Sequence, residues 1–270
     1  MIVRAPATSA NLGAGFDVAA VAFELWNELE VTANGGPPPD SEHLAVRAFS
    51  RFADPADWTF RFTDRIPRER GLGSSAAVVA LGLVAGSLAA GVEPTADELL
   101  AVGVELEGHP DNLAAALAGG VCLTCDGRIS RIADDLPAAA IAVVPQQPVN
   151  TAAARAALPG DVAFADAAYS AGRAALLGAA LAAGDPALLA ASAGDRLHEP
   201  YRAANAPHLV AIRADLPRGA LGAALSGSGP TVVVWAERDR AGEVAVELAE
   251  RYPEHEILHL PVATAGAGPA

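Results

Sequence analysis

The sequence predicts an α+β fold built from two fused halves, and three observations carry this. Strand-like and helix-like stretches mix without the strict βαβ alternation of a doubly wound sheet. The 270 residues suit one large domain or two closely fused ones, and 52% apolar content allows a substantial core. A proline-bearing connection, Pro145-Gln-Gln-Pro148, stands between a strand-rich part and a mostly helical stretch that returns to β-α-β. The expected division is therefore residues 1–147 and 148–262, with 263–270 a disordered tail.

Each element has a local reason. Residues 2–5 and 16–33 carry the β-branched and aromatic content of strands, with a polar, glycine-rich loop at 6–17 between them. Asn34-Gly-Gly-Pro-Pro-Pro reads as a turn. Residues 43–52 are helical in pattern, and Trp58-Thr-Phe-Arg-Phe alternates like a strand. A Gly/Ser loop then opens an Ala-rich helix over about 74–90. Thr95 followed by Glu98 is a capping box, which starts a helix reaching Leu106. Pro110-Asp-Asn begins a short helix that Gly119-Gly120 ends. Strand-like runs follow at 121–125, 129–132 and 139–144, then helix over most of 151–216. The chain closes with strands at 221–225, 231–235 and 256–260 around a helix at 240–251.

Charge narrows the function. The net charge of −14 argues against nucleic acid or an anionic membrane surface, since both favour a basic face. The apolar stretches at 74–91 and 174–183 read as buried helices better than as membrane spans, and no signal peptide is visible. The two cysteines, Cys122 and Cys125, form C-x-x-C inside an apolar run with no second metal-ligand pair. They read as strand residues and fit a reducing, cytoplasmic setting.

The most informative stretch is Arg70-Gly71-Leu72-Gly73-Ser74-Ser75-Ala76. First-turn amides of a helix lack intrahelical partners, and the helix dipole favours an anion there. Glycines let the backbone approach a phosphate, and serines add hydroxyl ligands for phosphate or Mg²⁺. All 18 basic residues are arginine, which excludes G-x-x-x-x-G-K-[ST]. Two more Gly/Ser loops stand at 6–17 and 225–231. Alone, each is more often a plain turn than a phosphate cradle.

Three such loops in this order resemble the GHMP kinase superfamily along nearly the whole chain. Within it, Pro6-Ala-Thr-Ser-Ala-Asn-Leu-Gly-Ala-Gly-Phe-Asp17 resembles the first motif of the homoserine kinase family, with Ala14 where proline is common. Glu107-Gly-His-Pro-Asp-Asn112 and His198-Glu-Pro-Tyr-Arg202 resemble it too. The implied fold joins an N-terminal ribosomal-protein-S5-like domain 2-type half, which binds ATP, to a C-terminal ferredoxin-like half. The implied reaction moves a phosphoryl group from ATP·Mg²⁺ to the hydroxyl of L-homoserine, a step of threonine biosynthesis. The resemblance admits a homodimer.

The resemblance also implies roles. Arg70 to Ala76 would wrap the triphosphate, with Ser75 near Mg²⁺ and Glu107 its carboxylate. Glu105 is the alternative, two residues away on another helical face. Asn11 and Asp17 would face the amino acid, Asp17 taking its ammonium, although Asp17 also suits a turn. His109, Asp111 and Asn112 would line the same pocket, while His109 and Asp111 also suit helix caps. Thr151 and Arg155 share a helical face and resemble a family segment whose Lys and Glu are alanines here. Arg155 and Arg202 would clamp the carboxylate, against the alternative of solvated surface charge. Ser226, Gly227, Ser228 and Gly229 would support the phosphate loop from the second half. His43 stands where the family commonly has an amide near the adenine.

Two other readings remain. Another small-molecule GHMP kinase, of mevalonate-pathway or 4-diphosphocytidyl-methylerythritol type, would show a basic residue in the first motif and lack the Arg155/Arg202 pair. A non-catalytic member would lack Glu107 or Ser75.

Overall fold

A computed structural model describes residues 1–33 and 39–270, so most of the turn expected after Ala33 lies outside the described residues. The chain opens with a long antiparallel hairpin of β1 (Ile2–Asn11) and β2 (Gly15–Ala33). The stretch expected to be a loop, 6–17, is strand up to Asn11. Thr8 and Ser9 carry polar side chains into the interior, where each finds a hydrogen-bond partner. Only Leu12–Ala14 forms the turn.

Helix α1 (Leu44–Phe49) and strand β3 (Trp58–Thr63) follow, with β3 paired to β2. Three helices then cover one face of the sheet: α2 (Ser74–Ala90), α3 (Ala96–Glu107) and α4 (Pro110–Ala118). Helix α2 is apolar on all sides because it is buried almost along its length. Helix α3 starts at the expected capping box: Glu98 N–H donates to Thr95 Oγ1, and the Glu98 carboxylate accepts from Thr95 N–H at 2.7 Å. It stops at Gly108, and Pro110 restarts the chain as α4. Strands β4 (Val121–Cys125) and β5 (Arg128–Ala133) complete the first half. Cys122 is buried on β4 and Cys125 is exposed at its end, and both thiols are free.

The second half begins earlier than the sequence suggested. Strand β6 (Ala139–Val144), placed before the expected division at 147, belongs to the second sheet. The crossing therefore falls between Ala133 and Ala139. Proline marks a turn but does not reveal which sheet the preceding strand joins. The signal lay in β6 itself, whose six residues are all apolar and buried, as an interior strand requires. Helices α5 (Thr151–Ala156), α6 (Phe164–Ala183), α7 (Pro186–Ala191), α8 (Glu199–Arg202) and α9 (Pro207–Ala214) follow. Strands β7 (Ala220–Leu225) and β8 (Val232–Ala236), helix α10 (Ala241–Arg251) and strand β9 (Glu256–His259) close the half. The second sheet runs β7-β8-β6-β9, antiparallel throughout.

The tail corrects a second expectation. Residues 263–270 are not disordered: they return across the first half, where β10 (Gly268–Pro269) pairs with β1. Ala263 is fully buried and exchanges backbone hydrogen bonds with Ala22 and Gly120. Gly266 rests directly on the backbone of Leu117, a position with no room for a side chain. The alanines and glycines that imitate a low-complexity tail are what lets the strap lie flat. One core runs through both halves, joining Phe23, Leu81 and Leu113 to Leu177, Trp235 and Leu260. A second lies between the second sheet and helices α9 and α10. No helix among the described residues is long and apolar enough to cross a membrane.

Candidate functional site

A cavity of about 360 Å³ lies where the two halves meet. Its lining draws on the strand ends flanking the β1–β2 turn (Asn11, Asp17), the start of α2 (Gly71, Gly73, Ser74, Ser75) and the α3–α4 junction (Glu107, His109, Asp111, Asn112). From the second half come Thr151, Arg155, Arg202, Gly227 and Ser228. Residues named from separate sequence segments thus meet in one place.

At one end the site is main chain and hydroxyl. Gly73 caps α2 in the left-handed conformation, φ 66°, and no side chain caps the first turn. Its amides are thus free of side-chain competition for an anion. A Cβ on Gly73 would overlap Thr8 Oγ1, and one on Gly71, φ 81°, would overlap Ser226 O. The loop is therefore pressed between strand β1 and the second-half loop. Ser226 serves it from below, its hydroxyl lying 2.6 Å from Gly71 O and 2.8 Å from Ser9 Oγ. Gly229 packs its carbonyl against Gly71. Three loop residues offer no side chain to the cavity. Leu72 and Ala76 point into the core. The Arg70 guanidinium turns away to the carbonyls of Pro145, Gln146 and Arg68 and ties the loop to the connection between halves. Arg70 is therefore a brace rather than a side-chain phosphate ligand.

Beside this end, Ser75 Oγ donates to the Glu107 carboxylate at 2.6 Å. Burial pushes Glu107 up to about 7 from an ordinary 4.5, the Ser75 bond opposes this, and the charge of Asp111 adds to it. No arginine pairs with Glu107 among the described residues. A carboxylate and a hydroxyl at a helix N-terminus fit a hard divalent cation that brings phosphate oxygens of its own. Glu105 is excluded from that role by position: it is exposed, outside the cavity, and paired with Arg51 at 2.7 Å.

The other end is charged side chain. Arg155 on α5 grips Asp17 with two bonds, 2.9 and 2.6 Å, and this contact raises the arginine pKa further. The two groups expected to hold opposite ends of an amino acid thus hold each other. Arg202 is nearly buried, and desolvation lowers its pKa. The Asn11 amide accepts from Asp17 N–H and donates to Gly227 O, both at 3.0 Å, so it fixes the turn that carries Asp17. Asn112 accepts from Thr8 Oγ1 at 2.7 Å. Thr151 Oγ1 lies 3.2 Å from Ser228 Oγ and links α5 to the second-half loop. Asp111 is buried and raised to about 6 by that burial, and its Oδ1 accepts Asn112 N–H in the first turn of α4. His109 occupies the cap position of α4 without a capping bond, and burial, with Arg155, lowers its pKa.

His43, Leu44, Arg68, Glu69 and Val78 also line the cavity. The His43 ring packs on Phe62 at 4.2 Å and accepts Ala45 N–H, and burial lowers its pKa. Sequence reading did not single out Arg68, Val78, Phe16 or Thr8 as site residues. Phe16 lies under both arginines, 5.6 Å from the Arg155 guanidinium and 5.4 Å from that of Arg202. Its signal was its place next to Asp17 in the first motif.

The family model described as GHMP kinases N terminal domain matches residues 43–120, and GHMP kinases C terminal matches residues 177–254. The chain is 39% identical to the homoserine kinase of Streptomyces coelicolor, covering 90% of this chain and 86% of that one. It is 35% identical to the homoserine kinase of Desulfitobacterium hafniense, covering 94% and 93%. A crystal structure of homoserine kinase from Cytophaga hutchinsonii matches at a TM-score of 0.87 and 26% identity, over 99% of this chain and 96% of that one. A mevalonate kinase matches at a TM-score of 0.71 and 15% identity, which shows the shared fold alone.

Proposed function

This chain belongs to the homoserine kinase family of the GHMP kinases, and from that premise we propose that it transfers the γ-phosphoryl group of ATP to the side-chain hydroxyl of L-homoserine. The observation that carries the reading is the meeting, in one cavity, of the uncapped α2 N-terminus with the Asp17, Arg155 and Arg202 cluster. One end suits a polyphosphate and the other a small zwitterion.

The triphosphate lies along the backbone of Gly71–Ser75 and takes the α2 first-turn amides. Glu107 and Ser75 would hold Mg²⁺, which when bound supplies charge neutralisation on the transferring phosphoryl group. The amino acid enters by exchange: its ammonium takes Asp17, its carboxylate takes Arg155 and the inner Arg202. Each charge then trades one partner for another, so little is lost by opening the existing pair. This leaves the side-chain hydroxyl directed toward the α2 end. The hydroxyl oxygen bonds to the γ-phosphorus, the bond from that phosphorus to the bridging oxygen breaks, and ADP leaves; the hydroxyl proton is released. Positioning and charge neutralisation carry most of the catalysis in such a loose transition state. A cytoplasmic setting belongs to the same reading and is supported by the two free thiols.

The test is an ADP-release assay with ATP, Mg²⁺ and a panel of L-homoserine, L-threonine, L-serine and mevalonate. Turnover strongest on L-homoserine and lost on omitting Mg²⁺ is expected. Activity confined to mevalonate would keep the fold and return the charged end to an unassigned role.

A further inference from the structure

His198 lies just behind the charged end of the cavity and is fully buried on α8's leading edge. Its ring is wedged in by stacking on Phe16, centroids 5.0 Å apart and 20° between planes. Nε2 lies 2.9 Å from Gly13 O, in the turn that leads to Asp17. Nδ1 lies 3.3 Å from Arg202 Nη1.

Donor chemistry fixes the proton. A carbonyl oxygen only accepts, so the nitrogen facing Gly13 carries hydrogen. A guanidinium only donates, so the nitrogen facing Arg202 keeps its lone pair. The single ring form that satisfies both partners is neutral with the proton on Nε2. Asp195 stands 3.7 Å from Nε2, but its Oδ2 already accepts the backbone N–H groups of Leu197, His198 and Glu199. It holds the loop in place rather than competing for the ring proton.

Arg202 is held from behind on several sides. Nη1 also donates to Gly227 O at 3.1 Å, and Nε approaches Ala154 O at 3.4 Å. Nη2 makes no hydrogen bond among the described residues, and Arg202 lines the cavity. Of its three partners on the protein side, two are main-chain carbonyls and one is a side chain.

We propose that His198 is a positioning residue for the amino-acid substrate: as the neutral Nε2–H ring, it joins the Gly13–Asp17 turn to Arg202 and aims the free guanidinium edge at the substrate carboxylate. It touches no substrate and acts only through these two groups. The inference rests on the reading that Arg202 meets that carboxylate. Phe16 completes the device, because one ring backs His198 and lies under Arg155 and Arg202 together. A single histidine thereby sets the spacing between the ammonium and carboxylate sites.

The test compares the wild type with His198→Phe, His198→Gln, Arg202→Lys and the double variant His198→Phe/Arg202→Lys. His198→Phe keeps the ring stack and removes both nitrogens. It is expected to raise KM for L-homoserine roughly tenfold or more, the scale of losing a hydrogen bond to a charged group, with KM for ATP unchanged within about twofold. His198→Gln, which retains a donor and an acceptor, should recover most of the loss. In the Arg202→Lys background, His198→Phe should add less than about twofold, since its route of action is already cut. Equal shifts in both KM values, or additive effects of the two substitutions, would overturn the proposal. A ¹⁵N spectrum of the histidine rings gives a reading that does not depend on turnover. It should show His198 as Nε2–H, with Nδ1 shifting on Arg202→Lys; an Nδ1–H ring overturns the proposal even where His198→Phe fails to fold. Failure of the wild type to phosphorylate homoserine, with the ¹⁵N signature intact, would sink the functional reading and leave the ring's hold on Arg202 standing.

Discussion

The two ends of the cavity are made of different material. The proposed phosphate end is main chain, two serine hydroxyls and one carboxylate, nearly all from the first half. The proposed amino-acid end is charged side chain gathered from the start of β2, α5 and α8. The first is rigid because helix and loop geometry fix it, and in the proposed reading it would recognise what all nucleoside triphosphates share. The second is fixed by side chains that hold one another, and in the proposed reading a substrate would be told from its near relatives there. Damage to the first should therefore fall on turnover or on the KM for ATP, and damage to the second on the apparent affinity for the small substrate alone.

Glu107→Gln should have the largest effect. A neutral amide cannot replace a carboxylate on a divalent cation, so kcat should fall by roughly a thousandfold. Stability should move the other way. In the unfolded chain this carboxyl ionises near 4.5, and in the folded protein at about 7. Below 4.5 it is protonated in both states and contributes nothing. As pH rises from there, the unfolded state ionises first, so the metal-free wild type loses stability until about 7 and stays lower beyond. The glutamine variant escapes that loss. At pH 8 without Mg²⁺ or nucleotide it should be more stable by about 3 kcal/mol in urea melts. Parallel losses of stability and activity would instead make Glu107 a structural residue.

This difference in material also explains what could be read from the sequence. The phosphate end was legible because its signal is local: Gly71, Gly73, Ser74 and Ser75 sit together, and a helix follows at once. The partners of the amino-acid end are far apart in the chain. They could be listed only through motifs, and their mutual contacts could not be read. Nothing in the sequence says that Arg155 grips Asp17, or that the Asn11 amide also braces the turn before Asp17. Arg70 looked like a phosphate ligand because it adjoins the glycines, yet its guanidinium braces the connection between halves. The fold class and most elements followed from periodicity and caps. The division at 147 and the disordered tail did not hold, because which sheet an apolar strand joins is a tertiary fact.

Gly71→Ala should rank second and strike the seam between the halves. The left-handed backbone alone costs about 1 kcal/mol for alanine, and the new methyl meets the Ser226 carbonyl, a main-chain atom that cannot rotate aside. A total loss of about 3 kcal/mol is expected in thermal or urea unfolding, with KM for ATP raised. A well-folded variant with unchanged ATP affinity would show that the loop tolerates displacement and that its rigidity does not matter.

Arg155→Ala acts on the charged end. It leaves Asp17 without its partner and removes one of the two guanidinium groups from the proposed carboxylate site. Because Asp17 and Arg155 are 30% and 42% exposed, folding stability should change by under about 1 kcal/mol. Specificity should suffer more: kcat/KM for L-homoserine is expected to fall about thirtyfold, or 2 kcal/mol, with KM for ATP unchanged. A variant that loses stability and keeps its kcat/KM would reduce the ion pair to a structural clasp.

Glu105→Gln should do least, although it lies two residues from the group whose loss does most. Two residues along a helix turn the side chain by about 200°, so Glu105 and Glu107 face opposite ways. Glu105 pairs with Arg51 at 2.7 Å, the two being 61% and 39% exposed. Exposed pairs are worth about 0.2–1 kcal/mol, and screening by salt takes most of that. The variant should melt within about 0.5 kcal/mol of the wild type in 0.5 M salt and keep kcat and both KM values within about twofold. A large kinetic loss here would mean that the two glutamates work as a pair, and that the burial separating them in the structure does not separate them in function.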